Sequence, residues 1–393
     1  MGIRVITGGN FVNYGARSML FCVADALKKK YPSDTIVLTD LFPTQSKEQK
    51  SQYRFDIYNM HVRTLYRIAF PVLKLFFKPS EKSDNEKDII ACFNNATAFY
   101  DISGYGISSH NQALIWTIAT LIPIRMAQKN NIPYYILPQS IGPFNFNGLK
   151  KILLYPFIKK HLKYPEYIFT REPEGSQYLS AFRNKNVINS PDIVLQWPAK
   201  EYNNVFTKDF TPLAMPTVKT PAVGIIPNKQ LLNFLDEAAT IAFFKTITNY
   251  FITRNFQVYI FKHSADDKEL CRKISAEFEG HPQVSVILED YLPHEIFAYF
   301  QQFNAVVSAR YHGLIHALKC NTPIFSLGWA VKYKHLMSLY NMEEYHLSVE
   351  ETINASSIQE KLSNFLNNID SLPDKIKVKN QEIINNSIFN KYL

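Results

Sequence analysis

Cysteine is scarce in this 393-residue chain: the four, Cys22, Cys92, Cys271 and Cys320, are scattered without paired spacing. That excludes a disulfide framework and a zinc-binding cysteine set, and it suits a reducing compartment. Long apolar runs are lacking as well. The strongest, "ALIWTIATLIPI", is about a dozen residues, short of the roughly 20 needed to cross a bilayer. The opening "MGIRVITGGN" enters an apparent strand at once, so no secretory signal is expected and a cytoplasmic location follows. There is no internal repeat, no low-complexity block, and no zinc-finger, basic-zipper or RNA-sheet signature, which sets nucleic-acid binding aside.

What is present describes a globular protein. Hydrophobic residues make up 46% and charged residues 20%, enough for sizeable cores, and the length suits two domains. The balance of 43 Lys plus Arg against 34 Asp plus Glu gives +9. Such a charge favours anionic partners, such as acidic lipid headgroups or a phosphorylated substrate. It also describes a Lys-rich, Asn-rich surface that only keeps a protein soluble.

Along the chain, apolar strands alternate with helical periodicity. Strand "IRVITGG", a helix over 17–31 and strand "TIVLTD" form a βαβ unit, which implies a parallel sheet. Further strands are expected at "ATAFYDISGYGIS", "IPYYILPQSIGPF" and "PEYIFTRE". Residues 198–221 carry four prolines and no steady period, and read as a linker. A second alternation follows, with helices near 235–254, 267–278 and 293–303 between strands "AVGIIP", "QVYIFKH", "VSVILE" and "AVVSA". The expected division is an N-terminal α/β domain over 1–197, a linker over 198–221, a C-terminal α/β domain over 222–370, and a tail over 371–393. One segment stands apart. "HVRTLYRIAFPVLKLFFKPSEK", from His61 to Lys82, mixes basic residues with Leu, Ile, Phe and Val. It reads either as a core-facing helix bent at Pro71 or as a basic amphipathic stretch lying, through 61–78, on an anionic membrane.

Arg310 and His312 stand at the turn leaving the strand "AVVSA". Ligands in open α/β sheets bind at such carboxyl ends. Arginine presents a fixed planar cation to carboxylate or phosphate, and histidine moves protons near neutrality. The same two residues would equally serve as a surface ion pair and a helix cap. His312 and His316 are four apart, but the Glu that a helical metalloprotease pair needs after the first His is replaced by Gly313. Gln139 and Ser140 occupy another strand end, with an amide and a hydroxyl suited to sugar hydroxyls. Arg171 occupies a third, beside Glu172 and Glu174 as candidate ion-pair partners. The Gly-rich "GGNFVNYGA" is not G-x-G-x-x-G, so dinucleotide binding is poorly supported.

Taken together, "GGNFVNYGA", "DISGYG", "PQSIGPF", "TREPEGSQYL", "SPDIV", "FKHSADD" and above all "VVSARYHGLIHALKCNTPIFSLGWAVKYKHL" resemble the polysaccharide pyruvyl transferase family. The resemblance implies two Rossmann-like domains facing across a cleft, as in GT-B glycosyltransferases. It implies transfer of pyruvyl from phosphoenolpyruvate to a sugar of a polysaccharide precursor, typically lipid-pyrophosphate-linked, as a cyclic ketal with release of phosphate. Phosphoenolpyruvate is then a co-substrate, with no cofactor and no metal. His312 matches the family's catalytic histidine, acting as acid or base. Arg171, Arg310 and Lys332, twenty residues after His312, match donor-binding positions. Asn13 matches an acceptor position, with Gln139 and Ser140 as neighbours. The pair Gly328–Trp329 departs from the small turn and tyrosine usual in the family. A lipid-linked acceptor would also give the basic segment a use, holding the enzyme at the inner membrane face. Two other readings compete. One is a nucleotide-sugar glycosyltransferase, for which Glu343 and Glu351 have the spacing of a retaining pair, although that spacing recurs at Glu166/Glu174 and Glu269/Glu277. The other is a non-catalytic binding member of an assembly complex.

Overall fold

The computed structural model describes residues 2–109, 114–207, 210, 217–353 and 355–393. They divide into two compact units, the first comprising Met1–Val12, Ala16–Ile193 and Glu201–Phe210, and the second Asn13–Gly15, Val194–Lys200 and Thr211–Leu393.

The first unit is built on seven strands: β1 (Ile3–Thr7), β2 (Thr35–Asp40), β3 (Asp56–Asn59), β4 (Ala96–Asp101), β5 (Tyr134–Gln139), β6 (Tyr167–Thr170) and β7 (Val187–Asn189). They lie in the order β3-β2-β1-β4-β5-β6-β7, and every pairing is parallel. Val5 sits between Val37 and Phe99 in register, and all three are buried. A parallel sheet is covered on both faces, so its central strands read as continuous apolar runs. Helices Leu114–Lys129 and Gly148–Leu162 pack into this core through Leu121, Ile122, Ile124, Leu154 and Ile158.

The segment 61–82 divides at its proline. Helix Val62–Ala69 buries Leu65, Ile68 and Ala69 and ends before Pro71, with Phe70 at φ −128° and ψ 85°. Proline disfavours helical backbone in the residue before it, which accounts for the stop. Pro71–Leu75 continues as a separate 3₁₀ turn with no buried residue.

The second unit carries β8 (Ala222–Ile226), β9 (Gln257–Phe261), β10 (Val284–Ile287), β11 (Ala305–Ser308), β12 (Ile324–Leu327) and β13 (His346–Leu347). The order is β10-β9-β8-β11-β12-β13, again parallel throughout. In each sheet the strand order reverses once, between β1 and β4 and between β8 and β11. The crevice outside the carboxyl ends at such a switch point is where doubly wound folds hold ligands. Two parallel-sheet α/β domains are therefore the architecture.

Local chemistry sets several boundaries. The helix expected near 235–254 spans Glu237–Ile252, started by Asp236, whose side chain accepts from Ala239 N at 2.7 Å. The apparent strand "ATAFYDISGYGIS" stops at Asp101, because Asp101 Oδ1 turns the chain by accepting from Ser103 N at 2.8 Å. Of the stretch read as a linker, 208–209 and 211–216 lie outside the described residues. Tyr202, Val205 and Phe206 are buried in the first unit, and Arg54 N donates to Val205 O at 2.8 Å. Residues 371–393 form helix Leu372–Asn385 and a last turn, with Leu372, Ile376 and Ile383 buried. The four cysteines are free and buried. Among the described residues, no helix is long and apolar enough to cross a membrane.

Candidate functional site

In the second unit, Arg310 stands two residues past the end of β11 and His312 lies in the first turn of helix Tyr311–Lys319. Ser308 Oγ shapes the turn between them, accepting from Arg310 N at 3.0 Å and donating to Arg310 O at 2.8 Å. Arg310 is paired to a carboxylate, but to a buried one and not to the surface partner of the sequence alternative. Arg310 Nε donates to Asp267 Oδ2 at 2.8 Å, and Nη2 donates to Oδ1 at 2.5 Å. Asp267 is fully buried and also accepts from Lys229 N at 3.0 Å. Burial pushes its carboxyl above the usual range against the pull of Arg310. A bidentate pair of this kind fixes the guanidinium plane.

His312 packs against backbone. A Cβ on Gly15 would lie 2.2 Å from His312 Nδ1, so the close approach requires glycine. Asn13 Oδ1 accepts from Gly15 N at 2.8 Å, and Asn13 pairs antiparallel with Ser264. Tyr14 donates to Glu289 O and Asp290 Oδ1 at 3.0 and 3.1 Å, and its ring meets His263 edge-on. His263 Nε2 and His316 Nδ1 are 2.9 Å apart and buried. Burial, together with His316, Arg310 and His312, holds His263 well below its ordinary value, so His263 is a neutral support under the site.

Lys332 opens helix Val331–Leu339 beyond β12, the strand next to β11. Its Nζ lies 5.3 Å from the Tyr311 ring centre and 5.7 Å from that of Tyr333. Tyr333 is anchored through its hydroxyl to Ala309 O at 2.9 Å. It also packs flat on Gly328, where a Cβ would come within 2.2 Å of its ring. Trp329 fills the flank, 5.4 Å from Phe234 and 5.5 Å from Tyr333. Arg310, His312 and Lys332 are thus brought to the carboxyl ends of two adjacent parallel strands at the switch point.

The other predicted residues belong to the first unit. Arg171 is buried, and its partner is Asp192 rather than Glu172 or Glu174: Nη1 donates to Asp192 Oδ2 at 2.8 Å. Its Nη2 donates to Gly104 O at 2.5 Å and to Ser140 Oγ at 3.0 Å. Ser140 in turn donates to Glu172 Oε1 at 2.8 Å. Gln139 is fully buried, and both of its amide atoms lack a hydrogen-bond partner among the described residues. Beside these strand ends, Asp101 Oδ2 accepts from Tyr134 OH at 3.3 Å. Burial raises its pKa to about 6.

Sequence reasoning missed Asp267, Asp192 and Gly15. The first two lie in "FKHSADD" and "SPDIV", where a carboxylate follows a strand or turn, but nothing local names their partners. Among the described residues, no group of three His, Cys, Asp or Glu side chains is placed to hold a metal.

Two parallel doubly wound sheets, one of them with a cationic, histidine-bearing switch point, define a two-domain α/β protein of Rossmann-like units. The sequence profile of the family described as polysaccharide pyruvyl transferase matches residues 13–330. The chain belongs to that family. Among solved structures, a glycosyltransferase from Rickettsia africae aligns with a TM-score of 0.55 at 10% identity, over 99% of this chain and 95% of that one. UDP-GlcNAc 2-epimerase from Methanocaldococcus jannaschii aligns at 0.52 and 12% identity, over 91% and 92%. The Neisseria meningitidis enzyme of the same name aligns at 0.52 and 10%, over 98% and 99%. At such identities the likeness is one of fold. No curated protein matches the chain in sequence.

Proposed function

We propose that this transferase moves the enolpyruvyl carbons of phosphoenolpyruvate onto a sugar of a polysaccharide precursor carried on a lipid pyrophosphate, closing a cyclic ketal. The observation that carries this reading is the Arg310–x–His312 turn at the β8/β11 switch point, with Lys332 one strand away, inside a chain of the pyruvyl transferase family. Phosphoenolpyruvate presents a carboxylate and a phosphate. Arg310, oriented by Asp267, and Lys332 supply cations for them. His312 protonates the methylene carbon, which becomes a methyl group, and positive charge develops on the neighbouring carbon and its oxygen. A sugar hydroxyl adds to that carbon and loses its proton. The carbon–oxygen bond to phosphate then breaks, and a second hydroxyl closes the ring, so one phosphate leaves per ketal formed. No cofactor enters this scheme. On the acceptor side the reading assigns Asn13, Ser140 and the buried amide of Gln139. Arg171, held by Asp192, is assigned to the donor as a third cation for its carboxylate or phosphate.

The test is phosphate release from phosphoenolpyruvate by purified protein with a panel of lipid-pyrophosphate sugars. Acceptor-dependent release is expected, with His312→Ala lowering it by about 10²–10⁴-fold at an unchanged Tm. Run in D₂O, the product methyl group takes one deuterium. Silence across the panel together with turnover of a UDP- or GDP-sugar would replace this reading with glycosyl transfer.

A further inference from the structure

The first unit holds a recess that the transfer scheme does not use. It measures about 400 Å³ and is walled by helix Val62–Ala69 and Pro71, by the end of Leu114–Lys129 and by the end of Gly148–Leu162. Arg125, Lys129 and Lys160 line it, and no acidic residue does. None of the three cations makes an ion pair among the described residues; Arg125 lies 5.2 Å over the Phe70 ring. His161 forms part of the wall, is 1% exposed, and has no hydrogen-bond partner on either ring nitrogen. A buried polar ring left unsatisfied beside three cations is unusual in a structure with no ligand role for it. The arrangement fits a group that is anionic and rich in acceptor oxygens, as phosphate is.

Composition extends the pattern beyond the recess. From Ile102 to Pro165 the chain has no Asp or Glu, against seven Lys or Arg. This stretch contributes two of the three elements around the recess. The third element leads straight into exposed apolar surface: Val72 is 61% exposed, Leu75 82% and Phe76 73%. Lys74 shares Glu86 with Arg67, at 3.5 and 2.6 Å. Helix Gly148–Leu162 likewise exposes Leu149, Ile152 and Leu153 around Lys150 and Lys151. A soluble phosphate would use the cations and leave Leu75 and Phe76 in water. A membrane lipid uses both, because its headgroup sits at the level where exposed apolar side chains reach the acyl boundary.

We propose that this recess takes the phosphate of an anionic membrane lipid, with Leu75 and Phe76 of the adjoining turn entering the bilayer beside it. The site is separate from the switch-point residues of the transfer scheme, and its test needs neither donor nor acceptor, so either reading can fail alone.

The experiment is flotation of the full chain with phosphatidylcholine vesicles, with and without phosphatidylglycerol. Binding is expected only with phosphatidylglycerol. A basic residue near an anionic surface contributes about fivefold, so Arg125→Ala/Lys160→Ala should lower partitioning by about 25-fold. Leu75→Ser/Phe76→Ser should lower it without changing the charge. The charge-matched control Lys375→Ala/Lys377→Ala, on an exposed face of Leu372–Asn385, should retain binding. Melting curves establish that each variant is folded. Equal losses in the recess and control variants would reduce the effect to net charge and overturn the proposal. So would indifference of the parent chain to phosphatidylglycerol. A thermal shift with glycerol 3-phosphate alongside no vesicle binding would assign the recess to a soluble phosphate and overturn the lipid assignment.

Discussion

At the scale of single residues, Gly15 and Asp267 hold the groups on which the proposed chemistry depends. Gly15 leaves room for the His312 ring, since a Cβ there would sit 2.2 Å from Nδ1. Gly15→Ala must therefore push the imidazole aside. A misplacement of about 1 Å costs on the order of 100-fold in a positioned reaction. The expected result is a loss of that size in phosphate release with little change in phosphoenolpyruvate binding by calorimetry. Equal loss of binding would mean that the variant disturbs more than the ring. Asp267 is a positioning residue for Arg310. Asp267→Asn keeps the shape and removes the charge that orients the guanidinium. A raised KM for phosphoenolpyruvate with kcat much less affected is expected, and steady-state kinetics separates the two.

At the scale of elements, the strand ends of the first unit are tied by charge. Arg171 links β6 to the loop after β7 through Asp192, and to Gly104 and Ser140 after β4 and β5. Removing one member of a buried pair leaves the other charge uncompensated, at about 3–5 kcal/mol. Asp192→Ala should accordingly lower Tm sharply, whereas Arg171→Met with Asp192→Leu should recover much of the loss. In the second unit, Gly328 lets Tyr333 lie against β12 and so sets where helix Val331–Leu339 presents Lys332. The unusual Trp329 extends the same packing. The segment 61–82 shows how far an element can be read from sequence. A helix with a core-facing stripe was legible from apolar spacing, but the bend read at Pro71 is a stop, as pre-proline sterics require. The recess under the turn was not legible, because it needs two helices from elsewhere in the chain.

For the whole molecule, stability against pH should combine opposing contributions. Asp40 and Asp101 are fully buried, and burial raises each from 3.8 to about 6. Between about pH 4 and 6 the folded chain keeps protons that the unfolded chain has released, so stability falls as pH rises through that window. Asp101→Asn removes one such contribution. Relative to the parent, it should gain stability from pH 4 to pH 6, by up to about 3 kcal/mol. His161 and His346 act in the other direction, because burial lowers each from 6.5 to about 4. Between about pH 6.5 and 4 the unfolded chain takes up protons that the folded chain refuses, so these two lose stability as pH falls. Melting curves of the parent, Asp101→Asn and His346→Gln from pH 4 to 8 check both signs.

The alternation of β-branched apolar runs with 3.6-residue periodicity was enough to specify two parallel α/β domains, since buried parallel strands carry their signature locally. The motif around Arg310, His312 and Lys332 was likewise legible, because its spacing lies within one strand–turn–helix stretch and the strand after it. Short elements such as β3, β7 and β13, of four, three and two residues, were not; too few side chains repeat to set a period. Strand order was also beyond local pattern, and with it the switch points. The partner of Arg310 lies 43 residues away and that of Arg171 lies 21. Gly15 meets His312, and His161 shares a recess wall with Arg125 from another helix. Ion pairing, close approach and cavity formation depend on distances in space that no run of neighbouring residues encodes, and folding alone brings those groups together.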